Sequence, residues 1–389
     1  MGGQAVGLNA TPFGLYVHWP YCTRLCPYCD FNIYRNRNGD HDDLLHAILG
    51  DIEGHGRRIT APGPLQSLSF GGGTPSLMRP EQIAAVIKAA ERVFGFVDNP
   101  EISLEANPDA LSEDRCQGFA SAGINRLSIG VQSLDDQELK FLGRDHSAEE
   151  ARNAIKAARN AGMRISADFI YDLPDQSETI WGQRLEAALE LDLEHYSFYA
   201  LTIEPGTAFG VQVKKGRMVP APEERSAALY DLTQEHTKAA GVGAYEVSNH
   251  ARNIAGQSRH NLIYWQSGDW IGVGPGAHGR ATINGQRMEL VAARHPGDYN
   301  ATVQTRGWGI ATKDTLSPKE IVMEAFSMGL RLRAGLDLAR LQKRTGFAVP
   351  KHNLQNLIND GWLEVDQSML RVQPKGWALI DRLVLELLT

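Results

Sequence analysis

Six times before residue 202 the chain passes from a short strand-like run into a stretch of helical periodicity. The runs are Gly14–Trp19, Leu65–Phe70, Glu101–Ala106, Arg126–Val131, Arg164–Ile170 and His195–Leu201. Between them, Ile83, Val86, Ile87, Ala90 and Phe94 fall on one helical face, and Ala151, Ala154, Ile155 and Ala158 on another. Ser112 or Asp109 can cap a further helix. Strands joined through helices run parallel, and short connections keep neighbours adjacent. The expected fold class is α/β, a parallel sheet curled into a barrel or part of one.

Sheets of this kind hold ligands at the C-terminal ends of their strands, and the chemically distinctive residues cluster there. A cysteine loop follows the first run, and Gly71–Gly72–Gly73–Thr74–Pro75 follows the second. Glu105–Ala106–Asn107–Pro108 ends the third, Gln132–Ser133 follows the fourth, and Arg144 lies in the next connection. The fifth carries Asp168 and leads to Asp172–Leu173–Pro174. The sixth carries Ala200 and leads to Glu204–Pro205–Gly206–Thr207. Any one of these has an ordinary alternative: Asp168 or Gln132 as a satisfied polar group, Glu105 as a cap, Arg144 as a solvated charge. Their concentration on one rim points to one site.

Beyond about residue 240 the pattern changes. Ala244–Asn249 reads as an extra strand, followed by an irregular stretch rich in Asn, Gly, His and Trp. From Leu316 a second module begins: helices over Ser317–Leu332, Asp337–Thr345 and His352–Asp360, a hairpin of Leu363–Val365 and Leu370–Val372, and a final helix over Lys375–Leu388. Three helices and a hairpin suggest a winged-helix-like unit. The divisions are 1–13 (a disordered lead-in), 14–240, 241–315 and 316–389.

Three of the four cysteines stand in Cys22-Thr-Arg-Leu-Cys26-Pro-Tyr-Cys29. A short loop of three thiolates suits a [4Fe–4S] cluster with one iron left open, which the amine and carboxylate of S-adenosylmethionine (SAM) can chelate. The alternative is one zinc ion with His18 as fourth ligand, against which stands the usual pairing of CxxC knuckles in structural zinc sites. Cys116 stands alone and reads as an inert buried thiol.

CxxxCxxC with an aromatic before the third cysteine resembles the radical SAM superfamily. Tyr16–Val17–His18–Trp19–Pro20, GGGTP, LEANP, GVQS, LGR and YDLP resemble, in order, its oxygen-independent coproporphyrinogen III oxidase-like branch. The resemblance runs from about residue 14 to 380 and implies a partial (β/α)6 barrel with a C-terminal, mainly α, winged-helix-like domain. It implies that Cys22, Cys26 and Cys29 hold the cluster. Tyr16, Tyr28, Gly72, Gly73, Thr74, Glu105, Gln132, Arg144, Asp168 and Ala200 are implied as SAM contacts. Carboxylates and amides suit an ammonium and ribose hydroxyls, and an arginine suits a carboxylate.

Within that branch two functions compete. The oxidase decarboxylates coproporphyrinogen III propionates, and it resembles this chain but has a further cysteine two positions after the third, where this chain has Phe31 after Asp30. It also carries an N-terminal extension, whereas the first strand here begins near residue 14. His260-Asn261-Leu262-Ile263-Tyr264-Trp265 matches HNxxYW of the haem chaperone subgroup, HemW. That resemblance implies haem as cargo, delivered to acceptor haemoproteins such as membrane respiratory enzymes, with an electron donor for the cluster. His260, Asn261, Tyr264 and Trp265 become candidate haem contacts, through an axial imidazole and flat aromatic surface. The alternative is a His–Asn pair tying down a loop and two aromatics filling a core. His250 is a rival ligand, and His278, in Ile271–Gly279, is a third histidine near the tetrapyrrole or only loop structure. No catalytic residue is assigned, and the oligomer is left between monomer and dimer.

A net charge of −7 and a pI near 6.0 give no overall nucleic-acid footprint. Arg331, Arg333, Arg340, Lys343 and Arg344 leave DNA reading by the last module as a minor alternative. No apolar stretch suits a membrane span and the first residues do not read as a secretory signal. The expected location is cytoplasmic, peripheral to the membrane during delivery.

Overall fold

The computed structural model describes residues 11–36, 39 and 41–388. Most of the lead-in expected over residues 1–13 lies outside the described residues, and Phe13 already belongs to a strand. The six expected strands are present: β1 (Phe13–Trp19), β2 (Leu65–Gly72), β3 (Phe96–Ala106), β4 (Arg126–Gln132), β5 (Arg164–Tyr171) and β6 (His195–Ala200). They pair in parallel in chain order. The helices between them include Pro80–Phe94, Glu113–Ala122 and Ala148–Asn160. Ser112, not Asp109, caps the second of these, its hydroxyl accepting from Arg115 N. The apolar faces of these helices meet a core that includes Leu15, Val17, Phe70, Leu104 and Ile129. Each such side chain taken from water contributes roughly 1.5–3 kcal/mol before chain entropy is counted.

After β6 come β7 (Gly243–Ala244), β8 (Asn249–Ala251), β9 (Asp269–Val273), β10 (His278–Ile283), β11 (Gln286–Ala292) and β12 (Ile310–Thr315). Together the twelve form one sheet of order β12-β11-β10-β9-β1-β2-β3-β4-β5-β6-β8-β7. The parallel set therefore gains a seventh member, β9, on the free side of β1. This strand comes from the region read above as irregular, because a five-residue buried strand that joins its partner across the sheet carries no local alternation. The strand expected over Ala244–Asn249 is instead a turn between β7 and β8. Tyr245 N donates to Asn249 O, and Glu246 Oε1 accepts from Ser248 N at 2.9 Å, which closes the chain on itself.

The last segment has its own core around Phe326, Leu330, Leu370, Trp377 and Leu387. The expected helices appear as Pro318–Gly329, Leu338–Thr345 and Lys351–Asn359. The expected hairpin, β14 (Leu363–Asp366) with β15 (Met369–Val372), gains a third strand, β13 (Leu336–Asp337). The final helix is not continuous: a 3₁₀ segment, Pro374–Leu379, precedes an α-helix at Ile380–Leu388. Three of the five basic residues named in this module are engaged within the protein. Arg333 lies over Trp377 at 3.5 Å and donates to Gln234, Arg344 donates to Ser267 O, and Arg331 pairs with Glu246. No helix among the described residues is long and apolar enough to cross a membrane.

A short helix, Arg259–Trp265, closes the barrel at the N-terminal ends of the strands. Ser258 caps it, and Glu101 Oε1 at the foot of β3 accepts from the N–H of Arg259 at 2.8 Å. The other oxygen of Glu101 meets Arg126 at 3.2 Å and Arg164 at 3.4 Å. Arg126 and Glu101 are both buried. Removing one partner of a buried pair strands the other charge in low dielectric. Glu101→Ala is therefore expected to cost about 3–5 kcal/mol in unfolding free energy by denaturant titration, far more than removing an exposed pair such as Arg92–Glu53.

Candidate cofactor site

A cavity of about 580 Å³ opens at the C-terminal rim of β1 to β6. Twelve of the residues singled out above line it: Cys22, Cys26, Cys29, Tyr28, Gly72, Gly73, Thr74, Glu105, Gln132, Arg144, Asp168 and Ala200. They come from the cysteine loop, five different strands or strand ends, and the β4–β5 connection that carries Arg144. Tyr16 stands one layer deeper in β1 and lines an adjoining cavity of about 520 Å³, together with Gly72 and Glu105.

The cysteine loop is tied down by its backbone. Cys22 O accepts from Asn36 N at 2.7 Å, and Cys29 N donates to Cys26 O at 3.2 Å. Gly73 N donates to Trp19 O at 2.7 Å, and Thr74 N donates to Tyr21 O at 2.8 Å. A Cβ on Gly73 would stand 2.7 Å from Tyr21 O and 3.0 Å from Cys22 Sγ. Burial pushes the Cys29 thiol up to about 11 and also raises Cys22. Ionising these thiols therefore needs a cation in the cavity. Among the described residues no group of three His, Cys, Asp or Glu is spaced for a single ion. His18, the fourth ligand of the zinc alternative, is already engaged by Tyr16 Oη at Nδ1 and by Asn32 O at Nε2.

Opposite the cysteines, Arg144 donates to Cys26 Sγ at 3.3 Å, to Gly130 O at 3.3 Å and to Asn107 Oδ1. Its Nε is buried without a partner. Gln132 has φ 65, a left-handed backbone that an L residue adopts at a cost of about 1 kcal/mol or more. Glu105 accepts from Gly72 N at 3.1 Å. Burial, with Asp168 nearby, pushes its carboxyl up to about 7. Burial also raises Asp168, against hydrogen bonds from Ser197 and Ser128, the latter at 3.0 Å.

The sequence reading placed Asn107 on the rim without a role, and missed Ser128, Tyr199 and Phe31 as cavity residues. Ser128, Gly130 and Gln132 alternate along β4 on the cavity side, so strand periodicity could have identified Ser128 from Gln132. Cys116 behaves as expected: it is buried on the helix Glu113–Ala122, and burial pushes its thiol up to about 11.

The HNxxYW residues lie elsewhere. His260 is 7% exposed on the floor helix, its ring stacked on Tyr16 at 5.8 Å and edge-on to Tyr264 at 4.6 Å. Burial lowers its pKa to about 3, so the imidazole is neutral. Tyr264 packs on Trp270, and Trp265 lies beneath the Arg331 guanidinium at 4.7 Å. Asn261 donates its backbone N–H to the capping Ser258 Oγ at 3.3 Å. These four residues, the candidate haem contacts, sit on the helix that closes the barrel, and none of them lines either cavity. His250 is fully buried between Phe198 and Gln234, away from both cavities. His278 alone of the three histidines lines a cavity.

Residues 16–185 match the model of the Radical SAM superfamily, and residues 316–379 that of the HemN C-terminal domain. The chain is 34% identical to the heme chaperone HemW of Bacillus subtilis, over 93% of this chain and 95% of that one. It is 32% identical to HemW of Haemophilus influenzae, over 96% and 97%.

This chain belongs to the HemW family of radical SAM proteins.

The mitochondrial radical S-adenosyl methionine domain-containing protein 1 of Bos taurus is 38% identical over 100% of this chain and 90% of its own. The fold of this HemW family member matches coproporphyrinogen III oxidase (HemN) from Escherichia coli, with a TM-score of 0.81 at 22% identity, covering 98% and 91%. That likeness shows the fold. Membership of the radical SAM superfamily implies a [4Fe–4S] cluster and SAM, and the site fits both. It offers three thiols on one wall, a glycine with no room for a Cβ beside Cys22, and an arginine with an orphaned Nε.

Two outcomes follow. Gly73→Ala should lose most of its bound iron and sulfide while keeping its far-ultraviolet circular dichroism, because the clash is local to Cys22. Glu105 binds its proton more tightly folded than unfolded, so its contribution to stability falls as pH rises from about 4.5 to about 7. Glu105→Gln should flatten that fall, read as unfolding free energy at pH 5 against pH 7.5.

Proposed function

We propose that this protein is a haem chaperone on a radical SAM scaffold, which holds a [4Fe–4S] cluster and SAM and delivers haem to acceptor haemoproteins. The observation that carries this reading is full-length identity of 32–34% to relatives named heme chaperones. The gathering of cysteines, glycines and carboxylates in one cavity supports the cofactor part.

Cys22, Cys26 and Cys29 would hold the cluster, which supplies one-electron chemistry when bound. Gly72, Gly73 and Thr74 bring backbone polar groups close to the cavity, where a bulkier chain would fill the space. Glu105, Gln132 and Asp168 offer acceptors for an ammonium and for ribose hydroxyls, and Ser128 holds the Asp168 carboxylate in place. Arg144 offers charge to a carboxylate and, through its bond to Cys26 Sγ, offsets thiolate charge. Tyr28 forms a flat wall, Tyr16 lies a layer deeper beside Glu105, and Ala200 leaves room at the end of β6.

Decarboxylation of coproporphyrinogen III is the competing activity. Asp30 and Phe31 stand where that enzyme resembles this chain but places its further cysteine, and Phe31 is 61% exposed at the cavity mouth. The deciding experiment pairs haem titration, followed by the Soret band, with an anaerobic decarboxylation assay containing SAM and reductant. Saturable haem binding without decarboxylation is expected. Turnover of coproporphyrinogen, or failure to bind haem, would sink the reading.

A further inference from the structure

We infer that Glu246 and Arg331 are positioning residues for the SAM site, acting on Asp168 through Asn249 and Ser197. The inference rests on the SAM part of the reading above. It adds that the C-terminal module, which supplies Arg331, shapes the cavity from behind.

Asp168, Ser197 and Asn249 stand abreast on β5, β6 and β8: Asp168 pairs in register with Ser197, and Ser197 with Asn249. Partners in register point to one side of a sheet, so all three face the side on which Asp168 lines the cavity. Ser197 and Asn249 are buried, and Ser197 Oγ donates to Asn249 Oδ1 at 2.8 Å. The other end of that amide, Nδ2, donates to Glu246 Oε1. Glu246 is fully buried in the turn between β7 and β8. Its Oε2 has no hydrogen-bond partner among the described residues and faces Arg331 Nη2 at 3.6 Å. Arg331 follows the helix Pro318–Gly329, and its guanidinium lies over Trp265 at 4.7 Å. Two residues later, Arg333 N donates to Tyr245 O at 3.0 Å, in the same turn as Glu246. The C-terminal module therefore grips that turn both by backbone and by charge.

This chain of groups carries orientation. A hydroxyl has one proton, and Ser197 has two acceptors beside it, Asn249 Oδ1 and the Asp168 carboxyl. The Asn249 amide decides between them. With Nδ2 on Glu246, its oxygen faces Ser197 and draws the proton. Were the amide reversed, its NH2 would donate to Ser197 and the proton would pass wholly to Asp168. A carboxylate accepts and does not donate, so Glu246 holds the first arrangement. Asp168 is then held by Ser128 at 3.0 Å and keeps lone pairs free toward the cavity. Those lone pairs are what a ribose hydroxyl needs. Burying Glu246 without a countercharge would be costly, and Arg331 supplies that charge.

The test is the SAM affinity of the intact, cluster-loaded protein, measured by calorimetry around a double-mutant cycle. In Glu246→Gln the guanidinium draws the single oxygen to itself and leaves the NH2 facing Asn249, which must reverse. This variant should bind SAM about fivefold or more weakly. Arg331→Met removes the countercharge and should do the same. Ser197→Ala cuts the chain beside Asp168, and in that background Glu246→Gln should add less than about twofold. Arg344→Met releases the module's tie to Ser267 O and should stay within about twofold of the wild type. Unchanged affinity in Glu246→Gln would overturn the inference. So would a loss that adds in full to that of Ser197→Ala, or an equal loss in Arg344→Met, since either marks a general loosening. If Arg331→Met does not fold, the cycle of Glu246 and Ser197 decides alone. A wild type that holds iron and sulfide but binds no SAM would overturn the SAM reading, and this inference with it.

Discussion

Gly73 N meets Trp19 O at 2.7 Å and Thr74 N meets Tyr21 O at 2.8 Å, and through these two bonds the end of β2 carries the cysteine loop. The parallel pairing of β1 with β2 runs out at Trp19 and Gly72, so the loop leaves the sheet there and must be held by something else. The glycines allow the backbone of the next strand to take that part. Their lack of a Cβ brings main chain within contact distance of Cys22 Sγ and of the His18 ring. Cys22 thereby inherits the rigidity of the sheet, although it lies outside it. A loop held only by its own turns would leave three thiols free to wander, and ordering them would draw on the binding energy of whatever they bind.

The same sheet needs a floor. Seven parallel strands expose the backbone ends of their N-termini and a barrel interior too polar to leave open, since Tyr16 and Glu105 project into it. The helix Arg259–Trp265 closes that end with His260 and Tyr264 stacked beneath Tyr16. Glu101 joins its first turn to two arginines of the strands above. The negative carboxylate at a helix N-terminus is favourable in sign, and the arginines offset the cost of burying it. The aromatic and histidine content of this segment thus follows from filling a barrel, and Trp265 extends the plug to the C-terminal module through Arg331.

The sequence made the six-strand alternation and twelve of the cavity's lining residues legible, because parallel strands place their C-terminal residues on one rim whatever the helices do. Residues such as Asp168 and Gln132 needed only their position at a strand end. What escaped was set by partners distant in sequence. β9 pairs with β1 across about 250 residues, so nothing local marks it as a member of the parallel set. His260 and His278 are equally conspicuous as letters. Only the stacking of one beneath Tyr16 and the exposure of the other at the start of a hairpin tell them apart. A motif name attached to His260–Trp265 carried no information on which side of the barrel it would face.

Phe31 links these levels. It stands two residues after Cys29, on the chain path that leads from the cysteines to Asn32, and it borders both cavities. A thiol there would face the cluster site with a reactive group. A phenyl ring instead offers apolar surface and no proton, which suits a wall and not a reactant. The residue that follows, Asn32, then spends its side chain on Pro275 and Arg294, while its backbone carbonyl meets His18 Nε2. The segment after the third cysteine is therefore committed to joining the cysteine loop to the β9–β10 turn. Two bonds from Asn32 Nδ2, to Pro275 O and Arg294 O at 2.9 Å each, thus tie the chain after the cysteines to both ends of the β10–β11 hairpin, so the cysteine loop is held by the far side of the sheet as well as by β2.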